Sequence, residues 1–129
     1  MFLRLRTTLI PKIKGMSENI EAISIVDNYL EHARIFIFCN NNDTEVFISS
    51  ADFMTRNLDG RVEVTCPIYD ESIKKQLIDT FEVGWKGNVK ARLHSEKLDN
   101  LYRERKANEP IFRAQQETYN YFNTITKNS

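Results

Sequence analysis

Two clusters of side chains in this sequence have the types and spacing to handle phosphate-like anions. His32 and Arg34 form a His-x-Arg pair at the junction between a helical pattern and an apolar run. Imidazole changes charge near neutral pH and can pass a proton. A guanidinium presents a planar fork of donors that matches phosphate or carboxylate oxygens. A lone histidine at the end of an element also serves structure, so local residues leave both roles open for His32. The second cluster spans 48–63. There Ser49 and Ser50 end a strand pattern, a polar loop presents Arg56 and Asn57, and the next segment opens with Arg61 and Glu63. Arginines on such a loop can clamp a polyanion, or they can pair with Asp52, Asp59 and Glu63 at the surface.

Other chemistries find little support. The sequence has no P-loop, no G-x-G-x-x-G and no G-x-S-x-G elbow. With only four glycines, a phosphate site has to be built from side chains rather than backbone amides. Residues 1–16 carry Arg4, Arg6, Lys12 and Lys14 and no acid, so this end attracts anions. Cys39 and Cys66 form no metal-spaced cluster and read as buried packing residues, and no metal site is expected. His94 lies in a polar stretch and reads as solvated. Phe36, Phe38, Phe47 and Phe53 read as core.

The 129 residues fit one domain, 1–129, with 41% hydrophobic and 28% charged residues. A formal net charge of zero gives no global electrostatic footprint for a nucleic-acid or membrane partner. Two isolated thiols and the lack of a signal-like segment lead us to expect a reducing, cytoplasmic setting. No apolar run approaches the ~20 residues that span a bilayer.

The elements that must position the two clusters follow from periodicity. Alternation predicts a strand over 3–10, ended by Pro11, and a short helical turn is expected at 17–20. Apolar spacing over 24–31 predicts a helix that delivers His32 at its C-terminal end. Residues 34–39 and 44–50 read as a hairpin around the turn 40–43. A loop follows over 52–60, then a third strand over 61–66. Helices are predicted over 70–85 and 109–126, the latter packing through Phe112, Tyr119 and Phe122, with a short strand within 88–93. Interleaved strands and helices place the chain in the α/β or α+β class.

Three stretches, 9–20, 24–36 and 49–64, resemble the C-terminal part of the bacterial polyphosphate kinase family, and 89–92 and 113–115 fit that family's tail. The third, Ser-Ser-Ala-Asp-Phe-Met-Thr-Arg-Asn-Leu-Asp-Gly-Arg-Val-Glu-Val, is the most specific. The resemblance implies the α/β class, a phospholipase-D-like domain with a mixed sheet flanked by helices, and transfer of the ATP γ-phosphate to polyphosphate. It implies ATP or ADP with Mg²⁺ brought by the nucleotide, and the remaining kinase domains as partners. It also implies that His32 is the family's second essential histidine and Arg61 an active-site arginine. Arg4 falls at an ATP-contacting position, with Arg6 a nearby competitor. His32-x-Arg34 resembles His-x-Lys, and Ser50 to Asp52 with Arg56 and Glu63 resembles the companion motif, with Asn57 a further supporting residue. The family's phosphate-accepting histidine has no counterpart in these residues, so half a site is expected and the isolated domain should be inactive.

Three other readings stand beside this one. The domain could be an anion-binding or assembly module without catalysis. It could be a homodimeric phosphodiesterase, but Cys39 occupies the place of the aspartate that chemistry uses. It could be an α/β domain whose arginines only pair with acids. Homo-oligomerisation is left open.

Overall fold

The computed structural model describes residues 10–97 and 101–127 of the chain. Arg4, Arg6 and all but the last residue of the strand expected over 3–10 lie outside these residues. The site-bearing sheet is antiparallel and runs β2 (Ile35–Phe38), β3 (Glu45–Ser49), β4 (Thr65–Pro67) in that spatial order. Apolar and β-branched residues build it, with Ile35 opposite Ile48, Ile37 opposite Val46, and Ser49 opposite Thr65. The β2–β3 connection is a 3₁₀ turn, Asn40–Asn42, in which all three asparagines take positive φ. Asparagine is the side chain that best tolerates that region, which explains three in a row.

A second, two-stranded antiparallel sheet pairs β1 (Ile23–Ile25) with β5 (Ala91–Leu93). This overturns the helix expected over 24–31. Ile23 and Ile25 are β-branched and pair with Leu93 and Ala91, so strand pairing wins over a weak helical period, and 26–34 is left irregular. At 17–20 the Ile20 amide donates to the Ser17 carbonyl (3.0 Å), which closes a turn that does not extend into a helix. Buried Ser17 donates to the Ile10 carbonyl (2.6 Å) and accepts from the Ile13 amide (3.0 Å), holding a side-chain-bonded turn.

Between β3 and β4 lies a single helical turn, α1 (Thr55–Leu58), inside the expected loop. The strand expected over 61–66 pairs only at 65–67. Val62 is 99% exposed, so the alternating valines of this stretch do not mark a buried face. The helix predicted over 70–85 is α2 (Glu71–Lys86), capped by Asp70, whose side chain accepts from the Ile73 amide at 2.9 Å. Arg103 donates to the Trp85 carbonyl at its other end (2.6 Å), answering a carbonyl the helix leaves without a partner. Gly87 follows, where an added Cβ would lie 3.1 Å from the Ala114 Cβ, so a larger residue would push α2 away from the start of the last helix.

That helix, α3 (Ala114–Lys127), begins five residues later than expected. The preceding segment is held in another way. Asn88, almost fully buried, donates to the Pro110 carbonyl (2.9 Å), and it exchanges backbone and side-chain bonds with Phe112. Tyr119 and Phe122 are largely exposed; α3 meets α2 through Tyr121, which donates to Asp79 at 2.7 Å. Among the described residues the buried apolar side chains are mostly alanines, Ala22, Ala51, Ala91 and Ala114, with Ile23 and Val46 beside them. Phe36 and Phe47 are half-buried, whereas Phe38 and Phe53 are mostly exposed. Cys39 and Cys66 are exposed rather than buried, because the sheet ends and edges that carry them face outward. No described helix is long and apolar enough to cross a membrane.

Candidate active site

Strand pairing assembles the site. The Arg34 carbonyl, just before β2, accepts the Ser49 amide at 2.9 Å, which sets Arg34 beside the end of β3 and the Ser50-Ala51-Asp52 stretch that follows. Arg34 Nε donates to Asp52 Oδ1 at 2.8 Å. Its terminal nitrogens lie 3.3 Å from Nδ1 and 3.0 Å from Nε2 of exposed His32. Arginine has donors only, so of these two contacts only one made to a bare imidazole nitrogen is a hydrogen bond. Asp52 thus holds Arg34, and Arg34 holds the histidine.

The second cluster closes beside the first. The Glu63 carboxylate accepts from Ser50 Oγ and from Asn57 Nδ2, the latter at 2.8 Å. Ser50 Oγ also accepts the Val64 amide, and the Ser50 amide donates to the Val64 carbonyl, both at 3.0 Å. Asn57, on α1, is only 2% exposed; its bond to Glu63 fixes the amide orientation and leaves Oδ1 buried without a protein partner.

Electrostatics follow from these bonds. Arg34's hydrogen bond to Asp52 holds that carboxyl below its ordinary pKa, with the charges of Arg34, His32 and Arg56 acting the same way. The Ser50 and Asn57 bonds lower Glu63, helped by Arg61 and Arg34. Both clusters therefore sit within one field. The surface pairing considered for Arg56 and Arg61 is not formed: Asp52 is taken by Arg34, and Glu63 by Ser50 and Asn57. Among the described residues, neither arginine has an ion-pair partner within 4 Å, and both are exposed.

His94 departs from its expected solvated state. It is half-buried with Nε2 2.8 Å from Ser24 Oγ, and burial lowers its pKa. Sequence reasoning also passed over Asp27, Arg113 and Gln115 as partners. Arg113 bonds both Asp27 oxygens (2.8 and 2.5 Å), and Gln115 bonds the Tyr29 backbone, all across 86 residues of chain. No local pattern reports a contact of that separation.

A mixed α/β domain with a histidine–arginine–carboxylate chain beside a serine–asparagine–glutamate network is what fold and site define. The chain belongs to the family described as polyphosphate kinase C-terminal domain 2, which matches residues 1–115. It is 44% identical over 125 residues to the polyphosphate kinase of Klebsiella pneumoniae, covering 97% of this chain and 18% of that protein. It is 45% identical over 118 residues to that of Escherichia coli K12, covering 92% and 17%. The crystal structure of polyphosphate kinase from Porphyromonas gingivalis superposes with a TM-score of 0.87 at 38% identity, over 93% of this chain and 18% of that one. The chain thus spans under a fifth of the length of these relatives.

Proposed function

We propose that this domain supplies half of the active site for reversible transfer of the ATP γ-phosphate to polyphosphate, the remaining polyphosphate kinase domains providing the other half. The observation that carries the reading is the convergence of His32, held by Arg34 and Asp52, with the Ser50–Asn57–Glu63 network and with Arg56 and Arg61, which have no ion-pair partner among the described residues. Phosphoryl transfer asks a protein mainly for positioning and for charge to meet the phosphate oxygens. In this reading the γ-phosphoryl leaves ADP for a histidine on another domain, then passes to a terminal oxygen of the chain. His32 exchanges a proton with the transferring group or donates a hydrogen bond to it. Arg61, with Arg4 by family position, neutralises charge on the triphosphate or the polymer. Asp52 and Glu63 are both committed to protein donors, so we place Mg²⁺ on the nucleotide's phosphates. The phospholipase-D-like ancestry and a cytoplasmic setting belong to the same proposal.

Calorimetric titration of ATP and of short polyphosphate into the full-length enzyme tests the arginine's part. Arg61→Ala should bind one or both about tenfold more weakly, the scale of a lost charge-assisted hydrogen bond. Wild-type affinity for both would remove Arg61 from the site.

A further inference from the structure

The loop that carries His32 has no regular structure over 26–34, yet it is tied down at both ends. Arg34 holds the downstream end through Asp52 and through strand pairing. The upstream end is bound by the start of α3. Asp27, its side chain fully buried, receives two bonds from Arg113, and the Arg113 guanidinium holds that carboxyl below its ordinary pKa. Two residues on, the Tyr29 amide donates to Gln115 Oε1 (3.1 Å), and Gln115 Nε2 donates to the Tyr29 carbonyl (2.7 Å) and to Glu31 Oε1 (3.0 Å). One amide side chain thus serves as a strand partner for the loop backbone, three residues before His32. The clamp itself rests on a fixed base, because buried Asn88 bonds Pro110 and Phe112 immediately before Arg113. Apolar packing does not do this work: Leu30 is 83% exposed and Tyr29 76%.

We infer that Arg113 and Gln115 are positioning residues for His32, acting through Asp27 and the Tyr29 backbone. The inference rests on the proposed role of His32 and extends it to residues that never touch substrate. A histidine on a loop free at one end samples geometries in which it misses the reacting group, and an ångström of misplacement can cost ~100-fold in rate. A clamp acting on geometry changes turnover and leaves substrate affinity near its original value.

The test uses the full-length enzyme with Gln115→Ala, assayed for kcat and KM for ATP, with hydrogen exchange followed over 26–34. We expect kcat to fall about 10- to 100-fold with KM within about twofold. Exchange should rise in 26–34 and stay unchanged in α2 and the body of α3. Gln115→Glu should be no better, since it cannot donate to Tyr29 and places a negative charge beside Glu31. Adding Glu31→Gln to it should recover part of the loss, which a merely destabilised fold would not show. Wild-type kcat and exchange in Gln115→Ala would overturn the inference. If His32→Ala, run in parallel, retains full activity, the reading of the site fails instead, and the exchange data still decide whether the clamp exists.

Discussion

Glu63 gathers Ser50 and Asn57, and its behaviour in acid follows from those bonds. Ser50 and Asn57 donate to the ionised carboxylate and lower its pKa, with Arg61 and Arg34 assisting. A carboxyl depressed on folding adds stability above its unfolded pKa of ~4.3, and that contribution is lost as pH falls through the folded value. Asp52 and Asp27 carry depressions of the same sign. The thermal midpoint of the wild type should therefore decline below pH ~4. Glu63→Gln should melt lower at neutral pH and converge on the wild type in acid. Melting curves between pH 3 and 7 check this, and a constant gap across that range would show that Glu63's charge is not what the network uses. The same residue shows how much was legible from sequence. The density of polar types over 48–63 pointed to Ser50, Asn57 and Glu63 together, because they lie close along the chain and strand pairing keeps them close. The partner of Arg34 was not legible, since Asp52 competed with Asp59 and Glu63 for three arginines and only the fold settles the pairing.

At the scale of elements, the Tyr121–Asp79 hydrogen bond is part of the contact between α2 and α3. Tyr121 donates to Asp79, which also accepts from Lys75, and burial together with Asp79's charge pushes the phenol up to about 12. A tyrosine whose pKa rises on folding contributes stability that is present below ~10 and lost as pH passes the folded value. Tyr121→Phe should therefore cost about 1.5–3 kcal/mol near neutrality, the range for a hydrogen bond to a charged acceptor. Urea unfolding measures it, and a loss under a few tenths would mean α3 is held by other contacts. Helix α2 was legible because an acidic cap and a helical apolar period agree. The segment 24–31 was not, because Ile25, Val26, Tyr29 and Leu30 suit a helix on paper while Ile23 and Ile25 gain a strand partner in β5. The start of α3 was missed for a similar reason. Asn88 holds Pro110 and Phe112 out of the helix from 22 and 24 residues away.

For the molecule as a whole, the two small sheets and two longer helices bring short polar segments to one place, and interleaved element patterns alone narrowed the class to α/β or α+β. The family followed from long motifs rather than from any one residue. What local sequence could not show is that His32 rides on an irregular loop held from both sides. Arg34 and Asp52 hold it downstream, and Arg113 and Gln115 hold it upstream. That arrangement is the reason to assign the histidine a chemical rather than a packing role, since it is exposed and supports no core. The most direct measurement is the rate of polyphosphate synthesis from ATP by the full-length enzyme carrying His32→Ala, with its melting curve recorded alongside. We expect a loss of at least about 100-fold, the scale of a missing general acid or base, with an unchanged melting midpoint. A wild-type rate from the folded variant would contradict that role.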